Sequence, residues 1–75
     1  MNYDRRRSLR IASRKLDEAY WLLSYVIDGE QDAMDNTPEN MQDGERFQER
    51  EEYLDALNGL AEELDDFRGR FTNNL

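Results

Sequence analysis

Apolar residues in this chain return every seven positions, and that spacing restricts the fold more than any other feature. Leu9, Leu16 and Leu23 make one row, and Ser13, Tyr20, Ile27 and Met34 make a second, offset by four. After residue 45 the pattern resumes with Phe47, Leu54 and Ala61, then with Leu57, Leu64 and Phe71. A third row, Tyr53, Leu60 and Phe67, runs alongside. Rows offset by three and four residues lie on one face of an α-helix, whereas a strand requires alternation by two. The spacing therefore predicts two helices and no strand. It outweighs the composition, in which 37% charged residues and a net charge of −8 resemble a disordered chain.

The first helix is expected over 4–34, with Asn2 or Asp4 as its N-cap. Gly29 falls inside it at a cost of about 1 kcal/mol relative to Ala, and the helix is expected to loosen or stop there. The linker covers 35–43 and holds the only proline. Thr37-Pro38-Glu39 reads as an N-cap, a first-turn proline and an acid that suits the helix dipole, so a short helical turn can start there. Asp43-Gly44-Glu45 offers a cap for the second helix, expected over 44–72 and ended by Asn73-Asn74. A short linker between two long helices folds them into an antiparallel hairpin, so residues 1–75 are expected to be one all-α domain. In the expected register, facing residues have numbers that sum to about 78. That register brings Glu62, Glu63, Asp65 and Asp66 beside Arg10, Arg14 and Lys15. Residues 1–15 carry six bases and one acid, while residues 16–75 carry four bases and 17 acids. A basic helix start opposes the macrodipole, so these acids are its expected compensation.

Two helices cover little apolar surface, and a chain this short needs a staple, a metal or a partner to complete a core. The segment Ala19-Tyr20-Trp21-Leu22-Leu23-Ser24-Tyr25-Val26-Ile27 is apolar nearly all the way round a helix. Leu16, Tyr20, Leu23 and Ile27 suit the hairpin seam, which leaves Trp21, Leu22, Tyr25 and Val26 uncovered. Exposed patches of this kind mark interfaces, and Trp and Tyr are common anchors in them. Two occupants are compatible with the patch. One is a second copy, giving a homodimeric four-helix bundle. The other is a foreign protein with a basic surface, steered by Asp28, Glu30, Asp32 and Asp35 just beyond the apolar run.

Site chemistry is sparse. The chain has no Cys and no His, which removes disulfides, thiolate zinc sites and the commonest general base. Di-metal carboxylate bundles need Glu-x-x-His on facing helices, which is missing here. Asp28, Glu30, Asp32 and Glu39 match four positions of a calcium-loop frame, but Ala33 stands where its turn needs Gly. Glycine spacing fits no phosphate loop, and Ser8, Ser13 and Ser24 have no His to activate them. No enzyme activity, cofactor or metal is expected. The longest apolar stretch, Ala19 to Leu23, is far too short to span a bilayer, and no signal-peptide core follows the basic start. The expected location is the cytoplasm.

Two opposite relations to nucleic acid follow from the charge. Arg5, Arg6, Arg7, Arg10, Arg14 and Lys15 could meet phosphates, but the acidic remainder repels them and the second helix is expected to neutralise the basic end. Direct nucleic-acid binding is therefore not expected. Conversely, residues 16–45 hold nine acids and no base, and Glu49, Glu51, Glu52 and Asp55 extend the field. Carboxylates on a rigid rod can imitate a phosphate backbone, or can simply keep a helix face solvated.

The segment Asp35-Asn36-Thr37-Pro38-Glu39-Asn40-Met41-Gln42-Asp43-Gly44-Glu45-Arg46 resembles a family of small acidic proteins of phages and mobile elements of Gram-positive gut bacteria. These have a helix with an R-x-x-L-x-x-A-x-x-x-L pattern, an N-x-P-E-x-x-Q linker and an acidic helix. Here the corresponding parts are Arg5 to Leu23, the linker, and Glu45 to Leu64. Aromatic Tyr20, Trp21 and Tyr25, and the segment Phe67 to Phe71, depart from the family pattern. The resemblance assigns no activity to individual residues. It implies a phage-type setting, in which a small acidic protein inhibits a host nuclease or another defence effector, as anti-CRISPR and anti-restriction proteins do.

Overall fold

The computed structural model describes residues 1–75 as two long helices joined by a short structured linker. Helix α1 covers Tyr3–Asp35 and α2 covers Glu45–Asn73, with a 3-10 turn at Glu39–Met41 between them. Asn2 caps α1 with its side-chain oxygen, which accepts a 2.8 Å bond from the Arg5 amide. The helix neither loosens nor stops at Gly29 but continues for more than a turn. The penalty of one glycine is outweighed by Met34, a buried seam residue that exists as such only if the helix carries on.

The caps at the turn differ from expectation. The short helical turn expected after Thr37-Pro38 is present at Glu39–Met41, but Pro38 and not Thr37 is its N-cap. The Thr37 hydroxyl donates instead to the Ala33 carbonyl at 3.0 Å, while the Asn36 amide side chain donates to the Asp32 carbonyl at 2.9 Å. The Thr37 hydroxyl thus satisfies a carbonyl that the backbone leaves open, since the Thr37 amide turns to the Met34 carbonyl, while Asn36 adds a second donor to an Asp32 carbonyl that already accepts its amide. Gln42 ties the linker back through a 3.0 Å bond to the Thr37 carbonyl. The N-cap of α2 is Gly44 rather than Asp43, and no side chain caps it.

The helices pack as an antiparallel hairpin 60 Å long and about 15 Å wide. Its core is thin. Only Ile27, Met34 and Leu54 are buried, with Leu23, Phe47, Leu57 and Ala61 packed against them. All seven belong to the seven-residue rows, so the seam is the one that the periodicity defines. Three buried side chains stabilise a hairpin by only about 5–9 kcal/mol at 1.5–3 kcal/mol each, before conformational entropy is subtracted.

The polar pairing across the seam corrects the expected register. Arg50 bonds Glu30 at 3.1 Å and Arg68 bonds Asp17 at 3.0 Å, so facing numbers sum to 80 and 85 rather than 78. In both pairs the acid is on α1 and the base on α2, the reverse of the expected polarity. Asp65 and Asp66 pair within α2, with Arg68 and Arg70, and Lys15 pairs with Glu18 in α1. Arg10 and Arg14 have no ion-pair partner, and neither do Glu62 and Glu63. The acidic run of α2 lies displaced toward the turn, because the apolar rows, not exposed charges worth about 0–1 kcal/mol a pair, set the register.

Candidate functional site

The helical repeat divides the candidate docking residues among different faces. Trp21 lies 4 residues before Tyr25 and 7 before Asp28, with Asp32 and Asp35 following at helical spacing, so these five share the outer flank of α1. Trp21, Leu22, Tyr25 and Val26 are 50–78% exposed. No residue of the hairpin covers them.

Trp21 is nevertheless held in place. Its ring meets Tyr20 edge-on at a centroid distance of 5.1 Å, and the Arg68 guanidinium lies 4.2 Å from the Tyr20 ring centroid and 5.7 Å from that of Trp21. Arg68 is fixed in turn by Asp17 at 3.0 Å and Asp65 at 2.9 Å, and its side chain is only 16% exposed. This guanidinium therefore ties α2 to α1 directly behind the exposed indole, combining stacking with charge-assisted hydrogen bonds.

The four acids do not act as a set. Asp28 lies along a groove on one broad face with Tyr20, Ser24, Asn58, Glu62 and Asp65. Asp35 lies further along the same face, and its carboxylate accepts a 2.9 Å bond from the Gln31 side chain. Asp32 is exposed and takes part in no ion pair. Glu30 is separate from these three: it is half-buried, bonded to Arg50, and on the opposite broad face. Asp28, Glu30 and Asp32 all lie in the continuous α1, so they radiate around a helix instead of wrapping a loop as calcium ligands do. No three carboxylates come together closely enough to hold a metal ion.

Glu30's face carries a second apolar surface, away from the Trp21 segment. Tyr53 lines the groove beside the Glu30–Arg50 pair, and Leu60 and Phe67 follow it at seven-residue intervals. These three are 47–67% exposed. On α1, Val26 lies one turn before Glu30, and Ala19 and Ala12 continue its stripe at intervals of seven. The signal was in the sequence as the third row of α2, a row that a two-helix seam has no room to bury. The hairpin is thus a rod with one broad apolar face, one polar and acidic face, and an aromatic ridge along the outer edge of α1.

Charge is segregated along the rod. Met1, Arg6, Leu9, Arg10, Asn74 and Leu75 line a cleft at the open end, where both chain termini meet. Residues 1–15 and 67–75, which form that end, hold eight bases and one acid, a net of +7. The remaining 51 residues hold two bases and 17 acids, a net of −15. The expected neutralisation of Arg10 and Arg14 by α2 does not occur, because Asp65 and Asp66 pair with Arg68 and Arg70 of their own helix.

No family model matches this chain, and neither a curated protein nor a solved structure matches it. No helix is long and apolar enough to cross a membrane.

Proposed function

We propose that this chain is a non-enzymatic helical hairpin that docks on a protein with a basic surface through the ridge of Trp21, Leu22 and Tyr25. Asp28, Asp32 and Asp35 guide that docking. The observation that supports this reading is the ridge itself: a rigidly backed Trp and a Tyr stand in solvent, continuous with carboxylates that no arginine neutralises. Rigid aromatic anchors with complementary charge around them are how interfaces concentrate affinity and select partners. The setting we infer, from the linker resemblance and the acidic rod, is a phage-type inhibitor of a host nucleic-acid-handling defence complex. In that setting the carboxylates occupy a surface that otherwise receives phosphates.

The test uses three tagged baits in a bacterial lysate: the unmodified chain, Trp21→Ala/Tyr25→Ala, and Asp28→Lys/Asp32→Lys/Asp35→Lys. Glu30 is left intact because its loss would break a seam bridge instead of probing docking. A stoichiometric partner that both variants lose, and that DNA or RNA displaces from the unmodified bait, supports the reading. A partner held equally by all three baits would sink it. The broad apolar face favours a second reading, a structural assembly module without inhibitory role, which predicts that both variants still self-associate and that no foreign protein is retained.

A further inference from the structure

We infer that the broad apolar face carrying Tyr53, Leu60 and Phe67 is covered by a second copy of this chain, packed antiparallel so that each basic open end lies over the partner's acidic turn. Three independent features lead to that occupant and that polarity.

The first is surface area. A compact monomer of 9.0 kDa exposes about 4,900 Å². This chain exposes 6285 Å². The excess of about 1,400 Å² is larger than the roughly 800 Å² that each partner contributes to a stable interface. The apolar rows Tyr53 to Phe67 and Ala12 to Val26 each run for about 21 Å near the middle of the 60 Å rod, so they form the centre of such an interface with charged residues on either side.

The second is pattern. Tyr53, Leu60 and Phe67 repeat at seven, as do Ala12, Ala19 and Val26 on the neighbouring helix. Two helices of one rod thus present coiled-coil rows to the same side, and packing two such rods side by side gives a four-helix bundle. A self-complementary patch of this kind suits a two-fold axis. Leu60 sits near the middle of the rod, where that axis would cross α2.

The third is charge, which decides the polarity. At the open end Arg5, Arg6, Arg7, Arg10 and Arg14 have no ion-pair partner and Asp4 is the one acid among residues 1–15, while residues 28–55 at the turn end carry 11 acids and two bases, a net of −9. With a Debye length of about 8–10 Å, charges at the two ends of the rod do not sense each other, so the interaction is decided end by end. A parallel dimer would stack like charge on like at both ends, whereas the antiparallel one pairs opposites at both. This packing leaves Trp21 and Tyr25 outside on the edge of α1, so it is separate from the docking ridge and does not rest on it.

Sedimentation equilibrium gives the first reading, with a mass of twice 9.0 kDa expected. Leu60→Glu/Phe67→Glu should raise the dissociation constant by roughly a hundredfold or more, as for truncated hot spots. Trp21→Ala/Tyr25→Ala should leave it within about threefold. Because two introduced acids can also unfold the hairpin, orientation is read independently on the otherwise unaltered chain. The chain has no Cys, so Leu75→Cys takes a single spin label at the exposed terminus. Labels separated by most of the rod's 60 Å confirm the antiparallel dimer. Adjacent labels, a chain that is monomeric at every concentration, or a dimer that the Trp21/Tyr25 variant dissociates and the Leu60/Phe67 variant does not, would each overturn it.

Discussion

Arg68 shows how a single polar side chain can sit in an apolar row without loss. It falls on the seam spacing of α2, after Leu57, Ala61 and Leu64, and it reaches three partners from that position: Asp17, Asp65 and the Tyr20 ring. Asp17 and Asp65 are 47% and 60% exposed, so solvent screens much of the ion-pair energy. The rest comes from stacking and from the packed aliphatic stem. Arg68→Ala should therefore destabilise the chain by about 1–2 kcal/mol in urea melts, while Arg70→Ala, which removes only an exposed pair with Asp66, should change it by less than about 0.5 kcal/mol. Trp21 is the only tryptophan, so its emission should shift in the first variant and not in the second. Equal effects would mean that Arg68 is not the tie between the helices. The seam residues were legible from periodicity alone, but Glu30, Arg50 and Arg68 were not. Glu30 continues the Leu9, Leu16, Leu23 row, and the arginines continue the rows of α2, so the signal was a charge at a seam position on each helix. Charges at seam positions look like interruptions unless a facing charge is known, and the facing charge depends on a register that apolar rows define only to within a few residues.

Single helices of this composition are weak, and their length here is sustained by the seam. Gly29 and Gly59 lie within α1 and α2, and an added Cβ at either would meet no atom within 4 Å. Neither has a positive φ, so alanine fits the existing backbone. Gly29→Ala/Gly59→Ala should then stabilise the hairpin by about 1–2 kcal/mol through the reduced entropy of the unfolded chain. For a domain of this size that raises the melting temperature by roughly 4–16 °C. Unchanged or lowered melting would show that one of these glycines serves a contact outside the hairpin. Helix existence and pairing could be read from the rows, and the Asn2 cap from its residue type. The linker could not, because Thr37 and Asn36 are equally good at starting a helix and at closing one. Their choice is settled by the last carbonyls of α1, those of Asp32 and Ala33, which are in reach only once the helix has run past Gly29.

At the scale of the whole molecule, the sign of an electrostatic effect separates the two ways of packing two rods. Arg5, Arg6 and Arg7 are exposed, make no ion pair within the chain, and belong to the basic open end. In the antiparallel dimer they oppose the partner's acidic turn, and in a parallel one they oppose their own copies. Arg5→Gln/Arg6→Gln/Arg7→Gln therefore weakens the first and strengthens the second. The two-fold dimer loses six arginines, and at about 0.2–0.3 kcal/mol per exposed pair the dissociation constant should shift by roughly eight- to twenty-fold at low salt. The difference should vanish near 1 M salt, where the Debye length falls to about 3 Å. The same substitutions relieve an unfavourable basic cluster in the first turns of α1, which by itself stabilises the helix. Helicity would thus rise while association weakens, two readouts moving in opposite directions. Any general loss of folding would lower both, so this divergence identifies charge pairing between the ends of two antiparallel rods, and tighter association after the arginines are removed would exclude it.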